Sequence, residues 1–331
     1  MQGHQKGIFT ISLDFELYWG MQDVITIDAY RKNLEGTPIA IEEMLKHFKN
    51  YDLHVTWAIV GFLFFKNKEA LLSHLPSPLP AYKNREIDLY VYAKEHHLEP
   101  TFHFAPELIK KILRTPHQEV ASHTFSHYYC LEKGQDATTF LADLQAAKKV
   151  AASYNTELES LVFPRNQYNQ TYLKVIKEAG FRSYRGNEKG WLYEALEEKS
   201  KKSPLRRIGR MVDSYINLSG HHTYDLKSLS KRYPYDIPAS RFLRPYTPLL
   251  APFDPLKIGR IKAGMQEAAR HGRLFHLWWH PHNFGAHTDK HLAYLDEILD
   301  TYRSLNERYG FESLTMREVS RRLDSLRSQT R

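Results

Sequence analysis

The sequence has one cysteine, Cys130, in 331 residues. No disulfide can form within the chain, and no cysteine-based zinc site can be built. Nothing asks for an oxidising compartment. No stretch reaches the ~18 apolar residues of a membrane-spanning helix. The first residues run almost directly into a strand, with no apolar signal region. The cytoplasm is therefore the expected location, with a peripheral place at the inner membrane face as its variation. Low-complexity runs, internal repeats and linkers are also missing, so a single domain over 1–331 is expected. The formal charge of +8 has no concentrated source. The densest basic runs, Lys201-Lys202 with Arg206-Arg207 and Arg321-Arg322, read as loop and helix surface. No helix-turn-helix, zinc-finger or RNA-recognition pattern is present, which excludes the familiar nucleic-acid binders.

What is there is an α/β alternation. Ile8 to Glu16 reads as a strand, with Phe9, Ile11, Leu13 and Phe15 on one face. Thr37 to Asn50 reads as an amphipathic helix, and Leu53 to Gly61 as a buried strand. Strand, helix, strand opens a parallel sheet or barrel. Further strands are expected at Glu119–Ser122, Leu161–Phe163, Phe181–Tyr184 and Leu274–His280, with helices between them. Residues 66–105 carry a proline cluster, and 186–257 lose their periodicity. Both are expected as insertions over the barrel mouth.

The polar residues that carry chemistry fall at strand ends. Asp14 and Glu16 share one strand face by the period of two, and two close carboxylates call for a cation or a shared proton. His123 and His127 are four apart, a spacing at which a helical turn would bring both imidazoles to one divalent ion. Later come the loop Phe163-Pro164-Arg165-Asn166-Gln167-Tyr168-Asn169, then Asp213 after Met211-Val212, then Trp279-His280-Pro281-His282.

In this order the motifs resemble the polysaccharide deacetylase family, the NodB-homology domain of carbohydrate esterase family 4. Ser12-Leu13-Asp14-Phe15-Glu16 stands where that family has Thr-Phe-Asp-Asp-Gly. His117-Gln118-Glu119-Val120-Ala121-Ser122-His123-Thr124-Phe125-Ser126-His127 looks like its metal motif, and Arg165 to Asn169 like its Arg-Pro-Pro-Tyr-Gly loop. Asp213 and His280 match its two last motifs more loosely. The departure is at the acid pair, where Glu16 is displaced by one residue from the usual second aspartate.

The resemblance implies a distorted (β/α) barrel of about seven parallel strands. It implies a metal-dependent hydrolase of carbon–nitrogen bonds other than peptide bonds, removing acetyl groups from N-acetylated sugars. Glu16, His123 and His127 would hold one divalent ion, Zn²⁺ first, with Co²⁺, Mn²⁺, Ni²⁺ or Fe²⁺ as alternatives. Asp14 would be the base, kept ionised by Arg165. The Tyr168 backbone N–H would meet the oxyanion, and His280, oriented by Asp213, would be the acid. His282 is the rival to His280. A lipid- or nucleotide-linked sugar precursor in surface-polysaccharide biosynthesis is the expected substrate. The alternatives are a cyclic-amide hydrolase on the same barrel and a catalytically inactive carbohydrate-binding protein. Asp14 and Glu16 lie too close along one strand to flank a glycosidic bond, which argues against a glycosidase.

Overall fold

The computed structural model describes residues 5–193 and 204–329. Lys201-Lys202 and part of the 186–257 segment therefore lie outside the described residues. The core is one sheet of parallel strands. The strands are β1 Ile8–Phe15, β2 Val55–Ile59, β3 Gln118–Ser122, β4 Ser160–Val162, β5 Ser183–Arg185, β6 Tyr235–Asp236, β7 Arg241–Phe242, β8 Leu274–Trp279 and β9 Glu312–Ser313. Their order is β6-β5-β4-β3-β2-β1-β8-β7, with β9 on β1. β1 sits centrally because it is buried on both faces. Phe9, Ile11, Leu13 and Phe15 point outward into the helices, and the alternate set Thr10, Ser12 and Asp14 is fully buried on the inside. The inward layer is polar in other strands as well. Ser183 donates to Ser160 at 3.1 Å, and His276 meets Ser12 at 2.9 Å. These buried polar groups are paired across the barrel, whereas the Thr10 hydroxyl has no hydrogen-bond partner among the described residues.

The sheet closes through one segment. Tyr235, Ile237 and Ala239 donate backbone N–H bonds to Arg182, Tyr184 and Gly186 beside β5. Ser240 and Leu243 then donate to His276 and Trp278 in β8. One stretch, 235–243, is therefore the last stave, and the fold is the expected distorted barrel. This corrects the reading of 186–257 as a plain insertion. Each strand piece is two residues long with Pro238 near the join, too short for a period of two to register. The other excursion, 66–105, packs against residues that follow β1 and β3. Trp19, just beyond β1, donates its indole N–H to the His103 carbonyl at 2.7 Å, and Ala81 and Lys83 donate to Gly134 and Lys133.

Helices cover the outside. The first, Ile27–Asn50, starts ten residues earlier than its pattern predicts and is capped by Thr26, whose hydroxyl accepts from Ala29. Gly36 and Gly285 let it cross the turn after β8 at backbone contact; a Cβ at either would collide with the other segment's main chain. The last helix, Met316–Gln329, plugs the barrel floor. Its first N–H groups bond Thr56 at 2.8 Å and Glu119 at 2.9 Å, so a buried carboxylate caps its positive end. No helix among the described residues is long and apolar enough to cross a membrane.

Candidate metal centre

Glu16 follows the end of β1, and His123 follows the end of β3. Glu16 Oε2 lies 2.9 Å from His127 Nε2 and 3.4 Å from His123 Nε2, with all three residues buried. Gly20 makes room for the carboxylate, since a Cβ there would stand 2.7 Å from it. The two histidines do not share a helical turn, as the spacing predicts. Thr124 and His127 have φ of 63° and 58°, and left-handed residues break a right-handed helix. The loop gains its shape from Asp143, in the helix Ala137–Ala152. Its carboxylate accepts from Phe125 N at 2.7 Å, Ser126 N at 3.2 Å, Ser126 Oγ at 2.5 Å and Tyr90 OH at 2.7 Å.

These residues fit a divalent ion. His123 Nδ1 is paired with the Val162 carbonyl at 2.9 Å and His127 Nδ1 with Tyr129 OH at 3.1 Å. Each ring thereby offers Nε2 to the shared position, the outer-partner pattern of ligating histidines. Burial lowers the His127 pKa against the pull of Glu16, which favours the neutral ligand form. Burial alone would raise Glu16, but His280, His127 and His123 hold it well below the usual carboxylate range. One carboxylate oxygen and two imidazole nitrogens leave room for a water and a substrate atom. A second group, Asp52, His54 and His117, is more exposed. Its imidazoles stack face to face, 4.1 Å and 7° apart, so their in-plane lone pairs run parallel rather than converging.

Asp14 is next to the triad and fully paired. Arg185, at the end of β5, grips it with two bonds of 2.7 Å each, and also donates to Ser12 at 3.0 Å and to Asn166 at 3.3 Å. The guanidinium lies over the Trp278 ring at 4.1 Å. Burial pushes the Asp14 pKa up, but Arg185 and then His123 pull it below its ordinary value, so the group is an anion. Arg185 therefore fills the role expected of Arg165. Arg165 instead pairs with Asp23 at 2.5 Å and covers the Tyr129 ring at 4.4 Å. Through Tyr129 it backs His127, one contact removed from the acids.

His280 Nε2 stands 3.9 Å from Asp14 Oδ2 and 3.7 Å from Glu16 Oε1, at the open side of the site. His282 stacks behind it at 5.1 Å and is buried, its pKa lowered to about 3 by burial and then by the neighbouring His280. A ring held neutral in the interior is poorly suited to give up a proton. Of the tandem tryptophans, Trp279 is buried among Phe48 and Phe284, and Trp278 borders the site. Asp213 does not orient His280. It ends the helix Pro204–Asp213, where a strand end is expected, and bonds Arg241 at 2.5 Å, Tyr193 at 2.8 Å and Ser219 at 2.7 Å. Tyr168 sits in the loop that brings Asn166 to Arg185, with its ring on Phe163 at 5.1 Å and its hydroxyl accepting from Asn187 N at 3.3 Å.

The chain is thus a parallel α/β barrel with a buried carboxylate–imidazole triad, a candidate metal site, at the C-terminal ends of its strands. Residues 24–184 match the sequence model described as polysaccharide deacetylase. This segment, just under half of the chain, is what resembles the polysaccharide deacetylase family; it holds His123, His127 and Arg165 but stops short of Arg185 and His280. No curated relative matches the chain. Among solved structures, a Mycobacterium smegmatis protein assigned to the polysaccharide deacetylases superposes with a TM-score of 0.61 at 13% identity, covering 100% of this chain and 93% of its own. A Pseudomonas aeruginosa PAO1 protein of the same assignment gives 0.58 at 11%, covering 97% and 92%. A 4-alpha-glucanotransferase from Thermococcus litoralis gives 0.53 at 10%, over 95% of this chain but 40% of its own. At such identities the likeness speaks for the fold. The glucanotransferase shows that this fold does not choose the chemistry, so function rests on the site.

Proposed function

We propose that the protein is a divalent-metal hydrolase that removes the acetyl group of an N-acetylated sugar or glycan precursor. The observation that carries this reading is the convergence of His123 Nε2 and His127 Nε2 on one oxygen of Glu16, beside an Asp14 anion on the same strand face. A divalent ion held by these three would lower the pKa of a water molecule and polarise the acetyl carbonyl. Zn²⁺ suits the donor set best. Asp14, kept ionised by Arg185, accepts the proton of the attacking water. His280, open to the mouth on the other side of the acids, donates a proton to the departing amine, which is a very poor leaving group without one. The Tyr168 backbone N–H is assigned to the oxyanion on the family pattern. A substrate from surface-polysaccharide assembly fits this chemistry.

The test has two parts. Purified protein should bind about one divalent ion per chain, by elemental analysis, and His123→Ala with His127→Ala should abolish that binding. The metal-loaded protein should release acetate from a panel of N-acetylated sugars, and Asp14→Asn should stop release while keeping the ion. Full metal content in the double alanine variant would overturn the ligand set. Absence of acetate release across the panel would overturn the reaction.

A further inference from the structure

Large apolar side chains are exposed together on two neighbouring segments. The helix Pro204–Asp213 presents Leu205, Ile208, Met211 and Val212 to solvent, with Leu205 79% exposed. The turn Pro248–Phe253 adds Leu249, 87% exposed, and Phe253. The residues that flank them bring the segments close: the Tyr215 ring, just past the helix, lies 6.5 Å from the Phe253 ring, and Arg244 Nε donates to Ser214 Oγ at 2.6 Å. A lone exposed leucine means little, but a contiguous apolar patch marks an interaction surface. A basic residue borders this one. Leu205, Ile208 and Val212 recur at i, i+3 and i+7, and the exposed Arg207 lies at the edge of that stripe. A short helix with an apolar stripe bordered by arginine is the pattern of a helix that lies in a membrane interface.

We propose that this patch docks the protein on a lipid bilayer that carries anionic headgroups. Hydrocarbon would take the leucines and isoleucine, and the headgroups would neutralise Arg207. A second copy of the chain is the weaker occupant, because it carries the same net charge of +8, which an anionic surface attracts and a like-charged copy opposes. The geometry also gives an orientation. Both segments follow strands, β5 and β7, whose C-terminal ends are the ends at which Glu16, His123 and His127 lie. Resting on the deacetylase reading of that site, the docking names the substrate class as an acetylated glycan carried on a lipid anchor.

The test is co-sedimentation of the full chain with vesicles of phosphatidylcholine, alone or mixed with phosphatidylglycerol. Binding is expected to the mixed vesicles only, weakening as salt rises. Leu205→Ser/Ile208→Ser/Leu249→Ser should cut the partition at least ~10-fold, since each substitution removes an apolar anchor. Arg207→Glu should also weaken it. The proposal is overturned by no binding to either vesicle, by equal binding to the neutral one, or by unchanged partition of the triple variant. Self-association that the triple variant abolishes, without vesicle binding, would overturn it in favour of a second copy. Acetate release from soluble sugars is read alongside and should survive the triple substitution. Vesicle binding without acetate release from any substrate would leave the docking standing and remove the deacetylase reading.

Discussion

Arg185 carries more of the site than its neighbours in sequence suggest. It is 1% exposed and holds an equally buried Asp14 by two parallel bonds. Removing one partner of such a pair leaves an unpaired buried charge and costs about 3–5 kcal/mol. Arg185→Met should show a loss of that size in urea unfolding, and adding Asp14→Asn should restore part of it. Equal stability of the two variants would mean that the pair is solvated. Sequence reasoning reached Asp14, Glu16, His123 and His127 because strong local patterns frame them. It missed Arg185, since Ser183-Tyr184-Arg185 is a three-residue strand with a single alternation. It chose Arg165 by loop pattern, and that side chain turns instead toward Asp23. His280 gives the second prediction at this scale. His280→Ala should lower kcat by about 10²–10⁴-fold with metal content unchanged, the usual loss for a general acid. An activated acetyl ester should suffer far less, because its leaving group needs no proton. Equal losses on amide and ester would make His280 structural.

The element that matters most is the loop His123–His127, and its shape depends on a helix that never touches the reacting atoms. Asp143 lies on the same helix face as Phe140, Leu144 and Ala147, an acid among apolar residues. That anomaly was readable in the sequence, but the turn it holds was not, because the i, i+4 spacing fits a helix equally well. The cost of burying this carboxylate yields a pH signature. Burial pushes its pKa up to about 6, against the opposing hydrogen bonds from Ser126, Tyr90 and the Phe125 N–H. An acid whose folded pKa exceeds its unfolded value binds more protons when folded, so stability falls as pH rises between the two values. From about pH 4 to pH 6.5 the wild type should lose about 2 kcal/mol relative to Asp143→Asn, at 1.36 kcal/mol per pKa unit. Urea midpoints of the two proteins across that window measure it. A constant gap would show that Asp143 is ionised throughout, and held by its hydrogen bonds alone.

The whole molecule is a barrel closed late, by a segment with little sequence signal, and Asp213 ties that closure to the rest. Arg241 lies in the closing stave, and its guanidinium donates to Asp213 at 2.5 Å and to the Gly220 carbonyl at 2.8 Å. The strand pattern before 186 placed the first five staves, and Leu274 to His280 placed the stave that follows the closure. The closing stave is defined only by what lies on either side of it, β5 and β8, which no local window contains. Asp213 was matched to a catalytic motif, yet its carboxylate is spent on Arg241, Tyr193 and the backbone of Leu218 and Ser219. These two roles predict different outcomes. Burial alone would raise its pKa, but Arg241 and then Ser219 hold it far below the usual range. A depressed folded pKa contributes stability above the unfolded value of about 3.9, and loses it as pH falls toward the folded one. Asp213→Asn should therefore be less stable by about 3–5 kcal/mol near pH 7, the cost of stranding a buried arginine. The gap to wild type should narrow below about pH 4, opposite in sign to the Asp143 effect. The folded fraction of Asp213→Asn should keep its kcat and its pH–rate profile, measured as acetate release corrected for active protein. A loss of kcat matching that of His280→Ala would instead put Asp213 behind the imidazole, and would require the 204–220 segment to shift when substrate binds.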